Sequence, residues 1–254
     1  MSSTRSSKRA ALRRDLELFE VWFKHTGMHN AGDELLINNS TRLYSIGQIQ
    51  SAVGRHTLTH IFLSREMLPK IDELAPQLSH LRLFFFTSRQ VSSPHFSRIS
   101  RLKNLQVLHM SCNSLQHSGL PPDMFYTMKS LREVDVSACN LSTLPESLFH
   151  LESLVRLNAS FNNFLMAELP DLFSSLVSLK ELLLQNCSLK TLPPSAGKIP
   201  NLEMLILSEN WLMTKQLLEV VCSISSLKKI ILQNCRLKKL PVGFVAYHAY
   251  MCVL

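Results

Sequence analysis

The chain has 254 residues, 46% of them hydrophobic and 18% charged, which is the balance of a folded domain rather than of a disordered one. No apolar run approaches the ~20 residues that a bilayer-crossing helix needs, so a transmembrane protein is not expected. The formal net charge of +8 sits at the ends: residues 1–25 carry six Lys/Arg against three acids, residues 213–254 carry six against one, and the body between holds fifteen of each. A neutral body argues against a continuous cationic groove for nucleic acid.

In chain order, residues 1–11 read as a basic flexible tail. Asp15, Glu17 and Glu20 interrupt any secretory signal core, and a mitochondrial presequence is the weaker alternative. Leu12, Leu16, Phe19, Trp22 and Phe23 recur at helical spacing, which predicts an amphipathic helix. Its expected role is to cap a solenoid, within a segment 12–57 that includes a degenerate opening copy at 32–46; a partner or membrane-surface helix is the alternative.

From Leu58 onward one template repeats, L-x-x-L-x-L-x-x-N/C-x-L. Its copies begin at Leu58, Leu81, Leu105, Leu131, Leu154, Leu179, Leu202 and Leu227, and include LREVDVSACNL, LKELLLQNCSL and LEMLILSENWL. The pattern resembles the leucine-rich repeat, over residues 58–241. That resemblance implies an α/β solenoid, a horseshoe with a parallel β-sheet on its concave side and short helical or irregular convex segments. Positions four and six of each copy alternate with polar neighbours and should point into the core. Residues 242–254 carry no polar capping helix and read as an incomplete C-terminal cap or a truncated end.

The ninth position runs Asn113, Cys139, Asn162, Cys187, Asn210, Cys235. Cys-type copies are shorter than Asn-type ones, and Leu144-Pro145, Leu192-Pro193 and Leu240-Pro241 follow them closely, so the structural unit is a pair of copies. In the resembled family this side chain is buried where the strand turns. Cys139, Cys187 and Cys235 are then expected to be small buried fillers. Their spacing of two copies is too long for a disulfide and has no metal-ligand pattern. All six cysteines are expected to be free thiols, which suits a reducing compartment: cytoplasmic, with the nucleus as the alternative. The sequons at Asn140 and Asn158 lie inside the strand-and-turn frame and are expected to be chance matches.

No catalytic or phosphate-binding motif is present, and no cofactor or metal is expected. His109 and Asp135 both occupy position five of adjacent copies and should be neighbours, as a solvated contact rather than an acid–base pair. Concave positions three and five give the expected partner-binding residues: Phe62 and Phe85 at the N-terminal end, His109, Glu133, Asp135, Arg156 and Asn158 in the centre, and Leu183, Met204, Ile206 and Ile231 at the C-terminal end. Exposed apolar clusters of this kind mark interfaces. The Leu-Pro turns are similar to those of cytoplasmic repeat proteins that include Ras-pathway scaffolds and adaptors. The resemblance implies a non-enzymatic monomeric scaffold with signalling partners such as small GTPases or phosphatase subunits. The competing expectation is a targeting or nucleic-acid-associated adaptor acting through its basic ends.

Overall fold

The computed structural model describes residues 99–113, 115, 119–165 and 169–237, apart from the side chain of Leu218, and the backbone alone at 60–63, 83–86 and 252–253. The expected tail, capping helix and opening copy lie outside the described residues, as does most of 242–254.

Among the described residues, nine strands form one parallel sheet in strict sequence order. They are β1 (His60–Leu63), β2 (Leu83–Phe86), β3 (Val107–His109), β4 (Glu133–Asp135), β5 (Arg156–Asn158), β6 (Glu181–Leu183), β7 (Met204–Ile206), β8 (Lys229–Ile231) and β9 (Cys252–Val253). β1 and β2 take template positions three to six of their copies, and β3 to β8 take positions three to five. Registers are unbroken: His109 pairs with Asp135, Asp135 with Asn158, Asn158 with Leu183, Leu183 with Ile206 and Ile206 with Ile231. The ninth strand lies beyond the eight copies read from the template. Cys252 pairs with Ile230 and Val253 with Ile231, so the last residues supply positions four and five of a further copy.

Position four of β3 to β8 (Leu108, Val134, Leu157, Leu182, Leu205, Ile230) is completely buried, as are Leu131, Leu154, Leu179 and Leu202 at position one. Each such side chain contributes about 1.5–3 kcal/mol by leaving water. The chain then crosses to the convex side and returns. In Cys-type copies Pro145 and Pro193, at φ −70° and −57°, lead into 3-10 turns at Glu146–His150 and Pro194–Lys198; the fixed proline φ is already the value the turn requires. The longer Asn-type copies have more room. That of Asn162 carries a short 3-10 turn, Phe173–Ser175, and that of Asn210 a true helix, α1 (Thr214–Val221).

A second ladder runs beneath the convex side. Phe125, Phe149 and Phe173 are fully buried, and the last two meet edge to face with centroids 4.8 Å apart. Ser147 Oγ accepts from Phe125 N and Ser195 Oγ from Phe173 N, tying each ring to the next copy. Gly197 stands where the next Phe would fall. A Cβ there would lie 2.7 Å from Val220 O, so the ladder stops where α1 packs against the 3-10 turn before it.

Candidate functional site

The concave face is read from the side chains of positions three and five. Phe62 and Phe85 are placed by their strands alone. On β3 the face is closed: Val107 and His109 are only 4% and 3% exposed. From β4 to β8 it opens, and every position-three and position-five side chain is half-buried.

The centre is a charged lattice. His109 Nε2 lies 3.0 Å from Glu133 Oε1, and Arg156 Nε is 3.4 Å from the same oxygen. Arg156 also donates to Glu181 on β6, a residue that the sequence places at position three but does not mark as part of the site. Asp135 Oδ2 accepts from Asn158 Nδ2 at 2.9 Å, while its Oδ1 takes the backbone and hydroxyl of Ser137. The expected solvated His109–Asp135 contact is therefore corrected. The two residues are register neighbours, but His109 is buried and turns to Glu133, while Asp135 turns the other way along the sheet. A partner entering the groove meets the carboxylates and Arg156 rather than the imidazole. Counting Glu133, Asp135 and Glu181 against Arg156 leaves this centre acidic.

Toward the C-terminal end the lattice gives way to Leu183, Met204, Ile206 and Ile231. Two consecutive registers place Leu183 beside Ile206, Ile206 beside Ile231, and Met204 between Glu181 and Lys229. Adjacent strands stand ~4.8 Å apart, so Leu183, Ile206 and Ile231 form a continuous apolar row, with Met204 two residues before Ile206 on the same face.

The turns that leave the strands hold the ninth-position ladder. Asn162 Oδ1 accepts from Cys139 N and Leu141 N, and its Nδ2 donates to Val136 O and Ala159 O. Asn210 repeats this with Cys187 N, Leu189 N, Leu184 O and Leu207 O. Each Asn reaches back into the preceding Cys-type copy. That copy receives it because Asn140 and Ser188 adopt positive φ, at 60° and 58°. The left-handed residue turns the two flanking N–H groups onto one oxygen, a small backbone nest. In the other direction Cys139, Cys187 and Cys235 Sγ lie 3.0, 3.2 and 3.0 Å from Met110, Ala159 and Leu207 O. The cysteines are more than fillers, since each thiol donates a weak hydrogen bond to the Asn-type copy before it. Asn158 of one sequon donates to Asp135, and Asn140 of another lies in its turn at positive φ.

Burial pushes the thiols of Cys139 and Cys187 up to about 12 and raises that of Cys235. None is an activated nucleophile. The ordinary value is 9.0. Stability from these protonated thiols is therefore complete below pH 9 and lost as pH rises through the folded value. Iodoacetamide at pH 8 is expected to label Cys112 and Cys222, which are exposed, and to reach the three buried thiols only after unfolding. Peptide mapping reads the result, and rapid native labelling of Cys187 would restore the nucleophile reading. Among the described residues no cluster of His, Cys, Asp and Glu could hold a metal, and no helix is long and apolar enough to cross a membrane.

Sheet order, in-register positions and the buried Asn/Cys ladder define the class. Two leucine rich repeat family models match, over residues 103–164 and 178–198. Together with the solenoid fold, these matches support a leucine-rich repeat protein. It is 35% identical to the flightless-1 homolog of Caenorhabditis elegans over 96 residues, 37% of this chain and 8% of that protein. It is 30% identical to lumican of Gallus gallus over 111 residues, 44% of this chain and 32% of that one. The matches thus span less than a third of each of these relatives. Among solved structures, a leucine-rich repeat protein of Leptospira interrogans superposes with TM-score 0.67 at 22% identity, over 82% of this chain and 50% of that one. A chain of the Drosophila Toll–Spatzle complex gives 0.56 at 18%, over 70% and 24%. Identities this low show a shared fold.

Proposed function

We propose that this chain is a non-enzymatic scaffold or adaptor that holds a protein partner against the C-terminal part of its concave face, in cytoplasmic signalling. The leucine-rich repeat fold is in general a protein-interaction fold, and its members are in general binding scaffolds rather than enzymes. The observation that carries the finer reading is the half-buried apolar strip on β6 to β8, where Leu183, Ile206 and Ile231 stand side by side and Met204 lies two residues before Ile206 on the same face. An apolar row beside an acidic centre suits a partner that covers the strip and reaches Asp135 and Glu181 with a cation. Small GTPases and phosphatase subunits enter as partner classes through the resemblance of the Leu-Pro turns alone. The buried thiols of Cys139, Cys187 and Cys235, none of them in a disulfide, support a reducing compartment.

Leu183→Glu/Ile206→Glu, folded as wild type by circular dichroism and melting, is expected to retain the specific partner from lysate at least ~10-fold less well, a loss of about 1.4 kcal/mol. Equal retention of the same proteins would sink the groove reading. It would move attention to Phe62 and Phe85, then to the basic ends, whose binding would weaken steeply with salt. His109→Ala is expected to leave binding intact in outline, and an activity lost with it would reopen the acid–base reading.

A further inference from the structure

Seven large apolar side chains are conspicuously exposed among the described residues. Tyr126, Leu172 and Val177 lie on the convex side, where single exposed residues are ordinary. The other four, Phe161 (49%), Leu165 (38%), Trp211 (50%) and Met213 (49%), all lie in the turns that leave β5 and β7. One stacked row carries them. Phe161 N bonds Gln185 O, while Trp211 N and Met213 N bond Leu189 O and Lys190 O. The intervening copy is therefore sandwiched between the two apolar turns, which stand ~10 Å apart at two strand spacings.

The charge around this edge is opposite to that of the groove. Arg236, in the next copy, lays its guanidinium 4.8 Å over the Trp211 ring, and Lys190 is exposed in the sandwiched turn. The acid nearest Trp211 in sequence, Glu209, accepts from Gln185 Nε2 at 2.9 Å and keeps its charge, which leaves two cations against one acid. Trp and Arg are the commonest anchors of protein interfaces, and here they are stacked and half exposed.

From this we infer that the turn edge of β5 to β7 is a second docking site, separate from the concave strip, for an acidic amphipathic segment of a partner protein. Apolar residues of that segment cover Trp211, Met213 and Phe161, and its carboxylates meet Arg236 and Lys190. The observations favour protein over single-stranded nucleic acid. Leu165 and Met213 give no plane on which a base can stack, one face of Trp211 is taken by Arg236, and two cations do not make a phosphate-tracking groove.

The test pans a phage-displayed library of random peptides against the full chain, with counter-selection on Trp211→Ala/Met213→Ala. Both side chains are half exposed, so the variant should fold, and circular dichroism checks that it does. Enriched peptides are expected to combine Asp or Glu with Leu, Phe or Trp. They should bind wild type at least ~30-fold more tightly than Trp211→Ala, the size of a hot-spot truncation. Arg236→Glu should weaken them, and Leu183→Glu should not. The inference is overturned if no peptide is enriched over the counter-selection, if enriched peptides lack acids, if Trp211→Ala binds them equally well, or if a single-stranded RNA oligonucleotide binds this edge more tightly. Unchanged binding by Leu183→Glu separates this site from the concave one, so either can fail alone.

Discussion

Asn210→Ala is expected to lower the stability of the full chain by about 3–5 kcal/mol, because it strands several buried polar groups at once. The amide is completely buried. Its oxygen is the described partner of Cys187 N and Leu189 N, and its nitrogen caps Leu184 O and Leu207 O. A lost partner costs ~1–3 kcal/mol per buried group, partly offset where the second lone pair of a carbonyl is already used. Asn210→Asp should do no better, since a carboxylate cannot donate to the two carbonyls and would carry a charge into the core. Urea unfolding followed by circular dichroism measures the loss. A change below ~1 kcal/mol would mean that water enters and replaces the amide, and that the ladder does not hold the paired copies together. Asn162 has the same four partners two copies earlier, so Asn162→Ala should give a loss of similar size.

Phe149→Ala should cost about 3–5 kcal/mol for a different reason, the cavity left when a buried ring is removed. Phe149 is 1% exposed and meets Phe173 edge to face, so the substitution also removes an aromatic contact worth roughly 1 kcal/mol. Each copy of a solenoid touches only its neighbours. The damage should therefore be felt first between the copies of Phe125 and Phe173, as faster amide exchange there than in α1. Uniform exchange along the chain would show instead that the described copies unfold as one cooperative block.

These two residues mark how far the sequence could be read. Asn210 was legible: the ninth position alternates Asn and Cys so regularly that a buried paired ladder could be expected before any coordinates. What was hidden is the reason for the pairing. Asn140, Ser188 and Arg236 share no residue type, yet all three take positive φ, and that left-handed step lets the Cys-type copies offer two N–H groups to one amide oxygen. The Phe ladder was legible in principle, since Phe125, Phe149 and Phe173 fall at equal intervals. The template ends before them, and the convex side has no fixed pattern to count against. Gly197 reads as a loop glycine until its fit beneath Val220 is seen.

The groove divides in the same way. Strand period and repeat length by themselves fixed which residues line the concave face and which are neighbours across it, because an in-register parallel stack leaves no freedom in either. Whether a neighbour is a partner was decided only in three dimensions. His109 faces Asp135 in register but bonds Glu133, because its ring is buried while Asp135 is held by Ser137 and Asn158. Arg156 joins two carboxylates from adjacent strands for which the pattern gave only positions. The ninth strand and the exposed Trp211 edge also had to come from tertiary structure. A strand without the full template is recognised only by what it pairs with, and exposure belongs to the assembled solenoid, not to any one copy. Periodicity therefore determines the backbone path, and side-chain competition for hydrogen bonds and space determines the surface built on it.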